Sequence, residues 1–194
     1  LCKFLKPVLT TTIVISMNIE NSLLNKSIEL QKKAAQLKKV KIAWQEPLVI
    51  DCKKLEQKKL EHIPLKKLLE NKKFPAIYYF EIISKSIPLV LIEKLSEYKN
   101  NAPSKRSCPK IDKKRSTASN ILYCGSIKKE LHGRLAQHLG FGSPNTYGLQ
   151  LVHWAEDLKL KFHHAYLSQE EAHLTELIES ALALEMLPLV GKFA

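Results

Sequence analysis

Between Asn21 and Lys41 the apolar residues Leu23, Leu24, Ile28, Leu30, Ala34 and Leu37 recur every three to four positions among Lys and Glu. That period predicts an amphipathic, basic helix. Pro47 ends any helix there, and residues 48–52 (Leu-Val-Ile-Asp-Cys) leave room for a short strand. A second Lys/Leu-rich stretch, Leu55 to Leu69, is interrupted by Pro64, which divides it into two short helices. Together these stretches read as a basic helical arm over residues 17–73, either docked on the main domain or reaching DNA on its own.

At Phe74 the pattern changes. Residues 74–83 are aromatic and β-branched, bounded by Pro75 and by Ser84 and Ser86, and predict a buried strand. Residues 88–98 predict a helix with proline in its first turn. Asn100 to Asn120 is polar and rich in breakers, with Lys105, Arg106, Lys110, Lys113, Lys114 and Arg115 against the single acid Asp112. A basic surface insertion at about 99–120 is therefore expected, outside the core. Residues 121–125 (Ile-Leu-Tyr-Cys-Gly) predict a second strand, and Ile127 to Leu139 a helix closed by Gly140. A further helix is expected from Tyr147 to Leu158, around Trp154. Leu158, Leu160 and Phe162 alternate with Lys159, Lys161 and His163, the mark of a third strand over 158–166. Ser168 and Glu171 have the spacing of a capping box, opening a last helix that Pro188 stops. The order strand, helix, strand, helix, helix, strand, helix predicts an α/β domain over 74–194 with a small central sheet.

Charge adds a partner to this picture. The 194 residues suit one domain with an extension, but 31 Lys and Arg against 19 acidic residues leave a net charge of +12. Such an excess marks a surface that meets polyanions, or a solvated lysine-rich face, since Lys far outnumbers Arg. Cys2, Cys52, Cys108 and Cys124 contain no CxxC pair, which supports neither a zinc knuckle nor a disulfide framework. Reduced thiols in a cytoplasmic protein are expected. No apolar run approaches the roughly 20 residues that span a bilayer, so no membrane partner is expected. Residues 1–16 loosely imitate a signal peptide, with Lys3 and Lys6 ahead of an apolar stretch, but no A-x-A cleavage site follows. Met17 opens a plain polar sequence, and residues 1–16 are expected to be a leader translated from upstream of the natural start.

Two predicted strands each deliver a tyrosine, Tyr78 in Ala-Ile-Tyr and Tyr123 in Tyr-Cys-Gly. The helix after the second carries Arg134 and His138 one turn apart, and the last helix carries Glu179, nine residues before Pro188. In this order, the stretch from Pro75 to Lys192 resembles the GIY-YIG nuclease family. Ala-Ile-Tyr stands where that family has Gly-Ile-Tyr, Tyr-Cys-Gly where it has Tyr-Ile-Gly, Arg134 at its essential arginine and Glu179 at its helical glutamate. The resemblance implies a mostly antiparallel three-stranded sheet flanked by helices. It implies Tyr78, Tyr123, Arg134, His138 and Glu179 as catalytic residues, with Glu179 on Mg2+ or Mn2+ and double-stranded DNA as substrate. The sequence departs from the family in four places. Ala76 replaces Gly, Cys124 replaces Ile, Gly191 stands where many members have Asn, and the tyrosines are 45 positions apart (123 minus 78) where the family has a much shorter interval.

The residue types suit the chemistry. Phosphodiester hydrolysis needs an activated water, neutralised phosphoryl oxygens and help for the leaving oxygen. One carboxylate suffices for Mg2+, which keeps most of its waters, and the ion then acts as a Lewis acid. Arg134 offers a planar fork of donors that a lysine cannot copy. Tyr78 takes a proton from the attacking water or orients that water, and its ordinary pKa near 10 makes it a poor base without a helper. His138 is the first candidate helper; Lys128 and Lys129 are rivals if desolvated beside Arg134. The basic insertion, with Lys128 and Lys129, is expected to bind phosphates without regard to sequence, and its deletion to leave the fold intact. Singly, each residue has a plainer reading: strand aromatics, an Arg134–Glu130 pair, a solvent-facing Glu179. The joint pattern favours the nuclease. Some restriction enzymes of the family carry a histidine at this offset, so restriction-type activity is expected, as a homodimer or by sequential nicks. A repair or mobile-element nuclease and an inactive DNA-binding module are the alternatives.

Overall fold

The aromatic, β-branched run near Phe74 becomes a strand paired on both edges, second from one side of the sheet, with side chains buried on both of its faces. The computed structural model describes residues 8–57, 63, 65–85, 88–101, 107–111, 119–143 and 145–191, and of residues 8–18, 56 and 57 the backbone alone. The chain divides into two compact units, Leu1–Lys41 and Ile42–Ala194. In the first, helix α1 spans Val8–Leu37 and runs unbroken past Met17. Glu29 ties its turns together with Lys26 at 2.8 Å and Lys33 at 2.5 Å.

The second unit is an α+β structure. Its strands are β1 (Leu48–Asp51), β2 (Ala76–Ile82), β3 (Ile121–Ile127) and β4 (Lys159–Tyr166), and its α-helices are α2 (Leu65–Leu69), α3 (Pro88–Asn101), α4 (Leu131–Leu139) and α5 (Thr175–Met186). The sheet has the order β1-β4-β2-β3 and every neighbouring pair is antiparallel. It thus has four strands where three were expected, because Leu48 to Asp51 pairs with Phe162 to Lys159. Residues 42–73, read from the sequence as part of an arm, contribute β1 and α2 to this unit.

Pleating sorts the side chains. Ala76, Tyr78, Phe80 and Ile82 of β2 join Phe162, Leu160, Leu131, Leu135, Leu139, Leu91 and Leu95 in the main core. Each such buried Leu or Phe stabilises the fold by roughly 1.5–3 kcal/mol, and Phe162→Ala in this layer would cost about 3–5 kcal/mol. The other face of β2 and β3 is covered by α5, with Ile77, Cys124, Ile178 and Ala183 buried there.

Three expected helices differ. Ile127 stays in β3 and Glu130 takes a left-handed conformation (φ 62°), so α4 begins at Leu131. The stretch 147–158 is no helix beyond a 3-10 turn at Leu151–His153; Gln150 enters it left-handed (φ 59°), which ends helical propagation. Its apolar spacing is real but serves an irregular segment that buries Leu149, Leu151, Trp154, Ala155 and Leu158. The last helix opens as a 3-10 segment, Gln169–Leu174, before α5. The capping residues act there as expected, Ser168 N–H and Oγ both donating to Glu171 Oε2. After α5 the chain returns beside β3: Leu189 and Val190 donate backbone N–H to Ile121 and Leu122 carbonyls, and Val190 bridges Ile111. Among the described residues, no helix is long and apolar enough to cross a membrane.

Candidate active site

Tyr78 is placed by β2 and faces α4, where Arg134 and His138 lie one turn apart on the inward side. Burial of the strand leaves the Tyr78 side chain with no exposure, so its hydroxyl needs partners within the protein. It has them. Arg134 Nε–H donates to Tyr78 Oη at 3.0 Å, and His138 Nε2 lies 2.9 Å from the same oxygen. The Arg134 fork is held further by Gln137 Oε1 at 3.0 Å and the Tyr147 carbonyl at 2.5 Å. That arrangement excludes the plainer Arg134–Glu130 pairing: Glu130 contributes only its backbone, accepting the Arg134 N–H, and its side chain is exposed.

His138 is fully buried among rings, with centroids 5.5 Å from Tyr78, 5.3 Å from Phe80 and 4.9 Å from Tyr123. Burial, with the Arg134 charge beside it, pushes its pKa well below the usual histidine range, so the ring is neutral at physiological pH. Burial raises the Tyr78 phenol to about 12, with the Arg134 charge and hydrogen bond pulling the other way. Tyr123, on the same face of β3, lies 6.3 Å from Tyr78 between ring centroids, and burial raises its phenol as well. The 45-position interval therefore closes in space: of the residues between the tyrosines, 88–101, 107–111 and 119–120 lie outside the β2–β3 pair.

Glu179 comes from the opposite side of the sheet. It is half-buried on α5 and accepts a 2.5 Å hydrogen bond from Ser126 Oγ, near the end of the edge strand β3. Burial raises its pKa, while the Ser126 hydrogen bonds and the Arg134 charge lower it. Glu179 and Arg134 thus feel one another's charge across β3, while Glu179 takes its hydrogen bond from Ser126.

Lys128 and Lys129 lie exposed in the bend between β3 and α4, not buried beside Arg134. Lys110 is also exposed, but its backbone is stitched in: its carbonyl accepts the Gly191 N–H at 3.0 Å. Ser107 accepts the Gly148 N–H, so residues 107–111 belong to the folded unit and their deletion would not leave it intact. Lys105, Arg106, Lys113, Lys114 and Arg115 lie outside the described residues. His163 pairs with Glu81 at 2.8 Å and His153 stacks on Tyr98. Sequence reasoning missed Ser126, Gln137, Tyr147 and Leu149. Gln137 stands three residues from Arg134 on a helix, a spacing that signals such a contact. The other three act through an irregular loop and a strand edge, for which the sequence holds no periodic signal.

No family profile, curated protein or solved structure matches the chain.

Proposed function

We propose that the chain is a divalent-metal-dependent DNA endonuclease of the GIY-YIG type, acting in restriction. One observation carries the reading: the phenol oxygen of Tyr78 is joined to both Arg134 and His138, residues 56 and 60 positions away, next to the edge strand β3, whose Ser126 holds Glu179 on the opposite face. A buried tyrosine shared by an arginine and a neutral histidine is more than packing requires, and such tuned polar clusters favour functional sites.

The residues fit a hard cation. Glu179 is a half-exposed carboxylate with a hydroxyl beside it, and oxygen donors of this kind suit Mg2+ or Mn2+. Glu179 would hold the ion, and a bound ion supplies Lewis-acid stabilisation of the leaving oxygen. Arg134 turns its fork from the Tyr147 carbonyl to a phosphate oxygen, and that movement opens Tyr78 to the attacking water. Tyr78 orients the water, and as the phenolate, its own proton released to solvent beforehand, it takes the water's proton. Exposed Lys110, Lys128 and Lys129, with the basic residues 105–115, neutralise flanking phosphates of double-stranded DNA.

Incubation of plasmid DNA with the intact chain, with and without Mg2+, tests this directly. Mg2+-dependent cutting that Glu179→Ala abolishes is expected. Cutting that survives this substitution removes Glu179 from the site, and DNA binding without cutting by the intact chain favours an inactive binding module. Sequencing the ends separates restriction, with discrete ends, from a preference for branched or damaged DNA.

A further inference from the structure

Both ring nitrogens of His138 are committed. Nδ1 lies 3.2 Å from the backbone N–H of Leu149, and an amide nitrogen can only donate, so Nδ1 presents a lone pair. A neutral imidazole with a bare Nδ1 carries its one proton on Nε2, the atom 2.9 Å from Tyr78 Oη. Arg134, permanently protonated, aims Nε–H at the same oxygen. We propose that His138 serves Tyr78 as a hydrogen-bond donor and not as its proton acceptor, and that the loop Thr146–Gln150, fastened by Trp154, fixes it in that role.

The loop is built for the task. Gly148 packs so closely on α4 that a Cβ there would stand 2.7 Å from the Gln137 carbonyl oxygen, which brings the next residue's N–H onto His138. Trp154 Nε1–H donates to the Leu149 carbonyl at 2.7 Å in the buried interior. Gln150, buried and left-handed, donates through Nε2 to the Thr146 carbonyl at 3.1 Å. One short segment thus holds both partners of Tyr78: Tyr147 O binds Arg134, and Leu149 N–H binds His138. Two donors converge on an oxygen that is stabilised by them when it is charged. On the nuclease reading, on which this consequence rests, Tyr78 takes the water's proton as the phenolate that these two donors stabilise, and His138 and Trp154 are positioning residues.

The tautomer can be read without any catalysis. In the full chain labelled with 15N-histidine, the His138 signal, assigned by its loss in His138→Gln, is expected to show a protonated Nε2 and a bare Nδ1. In Trp154→Phe, which keeps the ring but removes the indole donor, the other tautomer should appear. With 3,5-difluorotyrosine in place of Tyr78, its ionisation can be followed by fluorine resonance in a pH range where the protein stays folded. His138→Ala should raise that ionisation by about 1–2 pH units, the worth of a hydrogen bond to a charged group. His138→Gln, which keeps an N–H donor but has no basic nitrogen, should restore most of it. A proton on Nδ1 in the intact chain, or Gln no better than Ala, overturns the proposal. Neither readout requires that the protein cut DNA, so its failure and that of the nuclease reading are told apart.

Discussion

Gly125 stands directly across from Tyr78 in the β2–β3 pair, so close that a Cβ added there would lie 2.5 Å from the phenol oxygen and 2.6 Å from the carbon bearing it. The glycine after Tyr123 is thus demanded by the aromatic ring of the neighbouring strand. Gly125→Ala is expected to push the Tyr78 hydroxyl away from Arg134 and His138. Overpacking of this kind costs about 1–3 kcal/mol of stability, and a displacement of roughly 1 Å at a reacting group costs on the order of 100-fold in rate. A thermal melt beside a cleavage assay checks both; a variant as active as the parent would remove Tyr78 from the chemistry.

Ser126→Ala removes the hydroxyl that holds Glu179 Oε2. Groups that orient a metal-binding carboxylate are typically worth 10–100-fold in metal affinity. The Mg2+ concentration giving half-maximal cleavage should therefore rise by about that factor, with the rate at saturating Mg2+ much less changed. A fall in rate at all Mg2+ concentrations would place Ser126 elsewhere in the mechanism.

His164 gives the fold an acid-sensitive point. It is 5% exposed, stacked on Phe162, with its pKa lowered to about 4 by burial and by neighbouring His163. The folded ring stays neutral where the unfolded one, near 6.5, has taken up a proton. The unfolded state therefore binds more protons between pH 6.5 and about 4, and stability falls as pH drops through that window. The loss is about 3 kcal/mol at most. Denaturant titrations from pH 7 to 4 should show it, and His164→Phe, which preserves the stacking, should flatten that part of the profile.

Because residues 107–111 are bonded into the domain, the charge of the insertion is better tested by substitution than by deletion. Replacing Lys105, Arg106, Lys113, Lys114 and Arg115 by Gln should weaken DNA binding and reduce the salt slope by up to about 0.9 for each phosphate no longer neutralised. The melting temperature should stay nearly constant. An unchanged slope would assign the affinity to other cations.

What was legible in the sequence follows the physics of each element. The strands around Tyr78, Tyr123 and Phe162 announced themselves because they are half or wholly buried and so carry dense apolar or alternating patterns. Ser168 with Glu171 was readable because capping is local chemistry. Leu48–Asp51 was ambiguous, since four residues carry too little pattern until β4 supplies a partner. The stretch 147–158 misled because its buried residues recur at nearly helical spacing, while Gln150, in a conformation no periodicity encodes, breaks the helix. At the site, Tyr78, Arg134 and His138 could be singled out by residue type and order. That Glu179 approaches from the other face, through Ser126, depends on how the strands stack, which no single stretch of sequence records.

The return of the chain after α5 has a consequence for handling the protein. Leu189 and Val190 occupy the carbonyls of Ile121 and Leu122, on the outer side of the strand that bears Tyr123 and Gly125. Open strand edges of this sort template pairing with other molecules. A variant cut before Leu189 would leave that ladder bare, and it should self-associate into insoluble aggregates well before any loss of chemistry could be measured.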